Sequence, residues 1–237
     1  MNKSLVIFDL DETLVRLFKF HEKASELLFM HLFNIKARLS EIDHEGKSLS
    51  QALIDLARFK GITMKQSKEL RKRLSHLYEK IFISLLPRKL NRYLLRGASK
   101  VVKFLAKKAK KQEIKLGLFT GDTKLIAREV LKRTGLLKYF SYIFSAAEAK
   151  SKLVYAKRLR KELRKKLKLS KLKDLKLKGF KVVLIGDSWR DMEAAKAMHA
   201  TALGILTGNT SKQQLLKHGA FHVFKDLASE KLRRFLV

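Results

Sequence analysis

Apolar and polar positions divide the chain into stretches with different rhythms. Lys3 to Leu10 is a short apolar run that ends in polar residues, the pattern of a buried parallel strand. From about Leu17 to Leu95, apolar residues recur at three- and four-residue intervals, which predicts helices. The runs EKASELLFMHLFNIKARL, LSQALIDLARF and TMKQSKELRKRLSHLYEKIFISLL carry this pattern. Ser48 or Ser50 and Thr63 are candidate helix N-caps, Gly61 separates two of the helices, and Pro87 follows the last. Beyond Gly97 the pattern alternates. A helix, SKVVKFLAKKAKKQ, precedes the strand IKLGLFT, which ends at Thr120. Asp122 or Thr123 can cap the next helix, KLIAREVLKRTG, and YFSYIFSA is strand-like. A basic helix, the strand FKVVLIGD, the helix WRDMEAAKAMH and the strand ATALGIL follow. A turn at Gly208-Asn209, the helix SKQQLLKHG and the strand FHVFK come last.

Strands alternating with helices imply βαβ units and a parallel sheet. The expected fold class is therefore α/β, a Rossmann-like three-layer core with an α-helical domain inserted after the first strand. The expected boundaries are residues 1–17 and 96–237 for the core and 18–95 for the insert.

Composition narrows the context. The chain is 46% hydrophobic, enough for a core, and it has no cysteine, which excludes disulfides and thiolate metal sites. Leu5 to Phe8 is too short for a signal peptide, and no run approaches the roughly 18 apolar residues of a membrane span. A soluble, cytoplasmic protein is expected. The 54 Lys and Arg against 22 Asp and Glu give a net charge of +32. That charge suits nucleic acid, an anionic surface or phosphorylated molecules, and equally a lysine-rich solvated exterior. It peaks from Lys157 to Lys181, with 13 basic and two acidic residues. Leu159, Leu163 and Leu167 mark one apolar stripe there, so an amphipathic helix with a basic outer face is favoured over a nucleic-acid arm. The segment has one aromatic, Phe180, for stacking on bases.

Against this basic background, two acids close the first strand. In open parallel sheets ligands bind beyond the carboxyl ends of the strands. Asp9 with Asp11, Thr120 and Asp187 all stand at such ends and should converge.

These positions carry a resemblance. DLDETL (Asp9 to Leu14), LGLFTGD with Thr120, a downstream lysine and GDSWRDMEAA (Gly186 to Ala195) resemble, in order, the four motifs of the haloacid dehalogenase-like phosphohydrolase superfamily. The similarity extends to the connecting pieces LLRGASKVVKFL and VLKRTGLLKYFSYIFSA. It points to the phosphoglycolate phosphatase-like branch, whose helical cap follows the first motif.

The resemblance implies a Mg²⁺-dependent phosphatase acting on a small phosphorylated substrate. Asp9 would attack phosphorus to form an aspartyl-phosphate, and Asp11 would protonate the leaving oxygen and then activate water. Thr120 and the N–H of Gly121 would bind phosphate oxygens. Mg²⁺ would be held by Asp9, the Asp11 carbonyl and Asp187, with Asp191 touching it through water or orienting the lysine. Lys152 aligns best as that lysine, with Lys150 as competitor. His21, Lys19 and Arg58 are cap residues that could meet the substrate. A phosphomutase, which also uses two aspartates, and a basic nucleic-acid-associated protein on the same scaffold, binding or trimming terminal phosphates, are the alternatives. Asp11 argues against a dehalogenase, which needs no proton donor. The protein phosphatases acting on polymerase tails share DLDETLV, but they lack this cap and carry a different fourth motif.

Three departures stand out. The lysine lacks the usual following proline, Glu12 stands where many relatives have glycine, and His199 occupies a helix end often filled by glycine.

Overall fold

The first strand, β1 (Lys3–Phe8), lies between two neighbours and buries Leu5, Val6, Ile7 and Phe8 completely. Each such side chain contributes about 1.5–3 kcal/mol. In the computed structural model, residues 3–63, 68–109, 114–166 and 180–236 are described. The other strands are β2 (Ile114–Thr120), β3 (Tyr142–Ser145), β4 (Phe180–Gly186), β5 (Thr201–Ile205) and β6 (His222–Phe224). They form one parallel sheet in the order β3-β2-β1-β4-β5-β6. The order reverses direction at β1, which opens a crevice between the carboxyl ends of β1 and its neighbours.

Alternation along β1 separates the layers. Val6 and Phe8 pack with α4 (Ala98–Lys108), α5 (Lys124–Arg133) and α9 (Glu230–Phe235). Leu5 and Ile7 pack with α6 (Lys152–Lys166), α7 (Trp189–Met198) and α8 (Lys212–Lys217). Leu159 and Leu163 are the apolar stripe of α6, while Leu167 and positions 168–179 of the basic segment lie outside the described residues.

Between β1 and α4 run α1 (Phe18–Phe33), α2 (Leu49–Phe59) and α3 (Lys68–Leu85). Their Leu28, Leu53, Tyr78 and Phe82 belong to the same apolar cluster as Phe8 and Val101, so the packing is continuous from insert to sheet.

Local signals explain the ends. Thr123 caps α5 by accepting from the Ile126 N–H, and Ser188 and Asp191 cap α7 reciprocally. His199 closes α7 in the left-handed region at φ 58°, as its position implied. Ser48 stands at the N-cap position of α2, yet its hydroxyl donates to the Ala149 carbonyl at 2.8 Å instead of capping. Ser50 lies inside α2. Thr63 adjoins positions 64–67, outside the described residues. The short α9 has no counterpart among the elements that the sequence pattern predicts. No described helix is long and apolar enough to cross a membrane.

Candidate active site

The sheet delivers its polar strand ends to one place. Asp9 extends the β1 ladder by donating its N–H to the Ile185 carbonyl at 2.9 Å, and the chain then reverses through Leu10 to Leu14. This turn puts Glu12 at φ 52°. Arg16 holds that strained residue by donating to Glu12 Oε2 at 2.9 Å and to the Thr207 carbonyl, while the Thr207 hydroxyl donates to the Glu12 carbonyl.

At the end of β2, Thr120 is buried and its Oγ1 accepts the Asp122 N–H at 3.0 Å, leaving the hydroxyl proton free to be donated. Gly121 leaves no room for a side chain: a Cβ would sit 2.2 Å from the Lys47 carbonyl oxygen. Lys152, the first residue of α6, is buried under the Phe119 ring. Its ammonium donates to Asp9 Oδ1 at 2.8 Å and to Asp191 Oδ1 at 2.7 Å. Lys150 is exposed. The other oxygen of Asp191 accepts from the Ser188 hydroxyl at 2.6 Å and the Ser188 N–H at 3.2 Å, so both Asp191 oxygens are engaged within the protein. Asp187 follows β4 and accepts from the Thr13 hydroxyl at 2.7 Å.

One lysine among three buried carboxylates leaves negative charge unbalanced. Carboxylate oxygens of Asp9, Asp187 and Asp191 lie within 4.8 Å of one another. Burial, with the charge of Asp191, pushes Asp9 up to about 7 despite Lys152, and burial with Asp191 and Asp9 holds Asp187 well above the usual carboxylate range. Lys152 is held above its ordinary range because these carboxylates outweigh its own burial. Asp9 Oδ1 and Asp187 Oδ1 are taken by Lys152 and Thr13, and the second oxygen of each remains for a cation. Hard oxygen donors with surplus negative charge fit Mg²⁺.

A second cluster meets the first at Asp11. His21, on α1, places Nε2 3.2 Å from Asp11 Oδ1 and 3.8 Å from Asp122 Oδ2, while Nδ1 lies 2.8 Å from the Tyr78 hydroxyl. The ring stacks on Phe82 at 4.3 Å. Burial opposes charge on His21, but Asp11 and Asp122 outweigh it and hold the imidazolium up to about 9. His21 in turn keeps Asp11 below the usual range against the cost of burial. Burial and Asp11 push Asp122 well above that range. The sequence named His21 only as a possible substrate contact and Asp122 only as a cap. Tyr78 gave no signal, because its partner is 57 positions away.

The segment between α1 and α2 closes over the strand ends. Arg190 donates to Asp43 Oδ2 and to the Glu45 carbonyl, each at 2.6 Å, and Leu49 N–H reaches the Gly121 carbonyl at 2.9 Å. Gly46, at φ 61°, rests on Ser188, where a Cβ would meet Oγ at 2.5 Å. Beneath lies a cavity of about 710 Å³ lined by Asp9, Thr120, Lys152 and Asp187 on one side and by Lys19, Leu49 and Tyr93 on another. Arg58 does not line it; it is mostly exposed and paired with Asp55.

The comparisons agree with this architecture. Among solved structures, a hydrolase from Pseudomonas syringae superposes with a TM-score of 0.68 at 21% identity, covering 100% of this chain and 99% of that one. A protein from Haemophilus somnus described as a predicted phosphoglycolate phosphatase superposes at 0.71 with 18% identity over 100% and 99% of the two chains. A β-phosphoglucomutase from Clostridium difficile superposes at 0.71 with 21% identity over 100% and 96%. At such identities the likeness speaks for the fold. No curated protein matches significantly. The family model for haloacid dehalogenase-like hydrolases matches residues 3–199. With the sheet order and the gathered strand ends, that match shows that the chain belongs to the haloacid dehalogenase-like hydrolase family.

Proposed function

We propose that the protein is a Mg²⁺-dependent phosphatase that hydrolyses a small phosphomonoester through an aspartyl-phosphate on Asp9. The observation that carries this reading is the buried Lys152 ammonium, bonded at once to Asp9 and Asp191. It fixes a carboxylate oxygen at the strand end and has a third ammonium N–H to offer a phosphate oxygen.

Asp9 attacks phosphorus, the ester P–O bond breaks, and the leaving oxygen takes a proton from Asp11. That proton comes from the Asp11–His21 pair, whose Nε2–Oδ1 separation is 3.2 Å. Water then gives its proton to Asp11, attacks phosphorus and breaks the Asp9–phosphoryl bond, releasing phosphate. Thr120 and the Gly121 N–H bind phosphate oxygens, and Asp191 acts as a positioning residue for Lys152. Asp9, Asp187 and the Asp11 carbonyl would hold Mg²⁺, which would supply charge neutralisation for the carboxylates and the phosphate. Residues 18–95 act as the cap, and closure of its 42–48 segment excludes water from the cavity. The test is hydrolysis of p-nitrophenyl phosphate with Mg²⁺. Asp9→Asn is expected to abolish it, and near wild-type turnover in that variant sinks the mechanism.

A further inference from the structure

Asp122, packed beside His21, has no part in the hydrolysis proposed at Asp9. Asp122 is 6% exposed, and among the described residues its buried Oδ2 accepts no hydrogen bond. A carboxyl oxygen buried beside Asp11 must be met by a proton or by a cation. It points toward His21 Nε2 at 3.8 Å, with Asp11 Oδ1 at 3.2 Å from the same nitrogen. All three atoms lie within 4.8 Å of one another.

The ring is also oriented as a ligand would be. The Tyr78 hydroxyl donates to the His21 carbonyl at 3.3 Å and so accepts from Nδ1–H at 2.8 Å. In the neutral ring this arrangement keeps the proton on Nδ1 and turns Nε2 toward the two carboxylates, the role that outer hydrogen-bond partners play at metal-bound histidines. Bonds of about 2.1 Å at tetrahedral angles separate neighbouring ligand atoms by roughly 3.4 Å. The observed 3.2 and 3.8 Å separations bracket that spacing.

We propose that Asp11, His21 and Asp122 form a second divalent-metal site, selective for Zn²⁺-like ions, and that its occupation inhibits the enzyme. One imidazole nitrogen among two carboxylates suits borderline ions, whereas the all-oxygen set around Asp9 and Asp187 suits Mg²⁺. On binding, His21 releases its Nε2 proton and Asp122 its carboxyl proton to solvent, and they ligate as neutral imidazole and carboxylate. Asp11 is then unable to exchange a proton with the leaving oxygen. The ion also ties α1 of the insert to the turn after β1 and to the loop after β2, holding the cavity closed. The inhibitory consequence rests on the proposed role of Asp11; the site itself does not.

Titration of Co²⁺ into the full chain at saturating Mg²⁺, followed by visible absorption, tests the site. One Co²⁺ per chain is expected. Asp122→Asn, which keeps the shape of the side chain, and His21→Gln should each weaken binding at least tenfold, and Asp9→Asn should retain it. Absence of binding, binding unchanged in Asp122→Asn, or loss of binding in Asp9→Asn overturns the proposal. Because the absorption needs no turnover, it is read apart from phosphatase activity. Zn²⁺ should separately lower p-nitrophenyl phosphate hydrolysis at least tenfold at saturating Mg²⁺, without relief by further Mg²⁺. Relief by Mg²⁺ would place the inhibiting ion at Asp9 and Asp187 and overturn the inhibitory assignment.

Discussion

Gly208 lies against Asp187 so closely that a Cβ there would sit 2.1 Å from Asp187 Oδ2. The glycine is required by this contact and not by its backbone angles. Gly208→Ala must push the Asp187 carboxylate away from Asp9 or shift the 207–209 turn. The expected result is a Mg²⁺ requirement raised ten- to a hundredfold, comparable with the loss of an outer partner at a metal site. Measuring rate against Mg²⁺ concentration checks it, and an unchanged requirement would mean that the 207–209 turn gives way and leaves Asp187 in place, or that Asp187 does not hold the metal.

Lys152 and Lys150 should separate completely. Lys152→Met leaves Asp9 and Asp191 buried without their shared cation, a change that costs about 3–5 kcal/mol when a buried pair loses one partner. Phosphatase activity should fall at least a thousandfold. Lys150 is exposed, and Lys150→Ala should stay within about 0.5 kcal/mol in stability. Denaturant unfolding and turnover of the two variants give the comparison. Equal effects would mean that the bridge to Asp9 is not what fixes the lysine's role.

The strand ends were legible because an apolar run that closes in Asp or Thr marks where a buried strand meets a polar crevice, and parallel topology brings such ends together. The spacing favoured Lys152 over Lys150, but without the usual proline and in a chain with 54 Lys and Arg it could not separate them; burial and the contacts to Asp9 and Asp191 do. The His21–Tyr78–Asp122 contacts were hidden on different grounds. They join α1, α3 and the loop after β2, so they depend on how the insert packs on the sheet and leave no periodic trace. Glu12 and His199 could be read from their places in the chain, and both adopt the positive φ that glycine would have taken.

Arg190 should matter to catalysis more than to stability. Asp43 is 63% exposed, and such ion pairs contribute about 0–1 kcal/mol. Yet Arg190 also binds the Glu45 carbonyl, and together these bonds hold the 42–48 segment over the cavity. Arg190→Ala should raise KM several-fold while leaving the melting temperature nearly unchanged, and should expose the segment to limited proteolysis. A lower melting temperature with unchanged KM would assign Arg190 a purely structural part.

Asp9 should oppose stability in metal-free protein at neutral pH. Its folded value, about 7, lies above the ordinary 3.8 because of burial and then Asp191. The folded chain therefore keeps a proton that the unfolded chain releases between those values. The resulting stability is fully present below about pH 4 and is lost as pH rises through about 7. Asp9→Asn carries no such charge, so with EDTA at pH 8 it should be the more stable protein, by an amount on the order of 3–4 kcal/mol. The two proteins should converge at pH 4. Mg²⁺ should reverse the order at pH 8 by stabilising only the wild type, since an ion bound to the native state alone adds to its stability. Thermal melts from pH 4 to 8.5, with EDTA and with Mg²⁺, measure each limb. If Asp9→Asn is the less stable protein in EDTA at pH 8, the Lys152 pairing outweighs the burial of charge at Asp9.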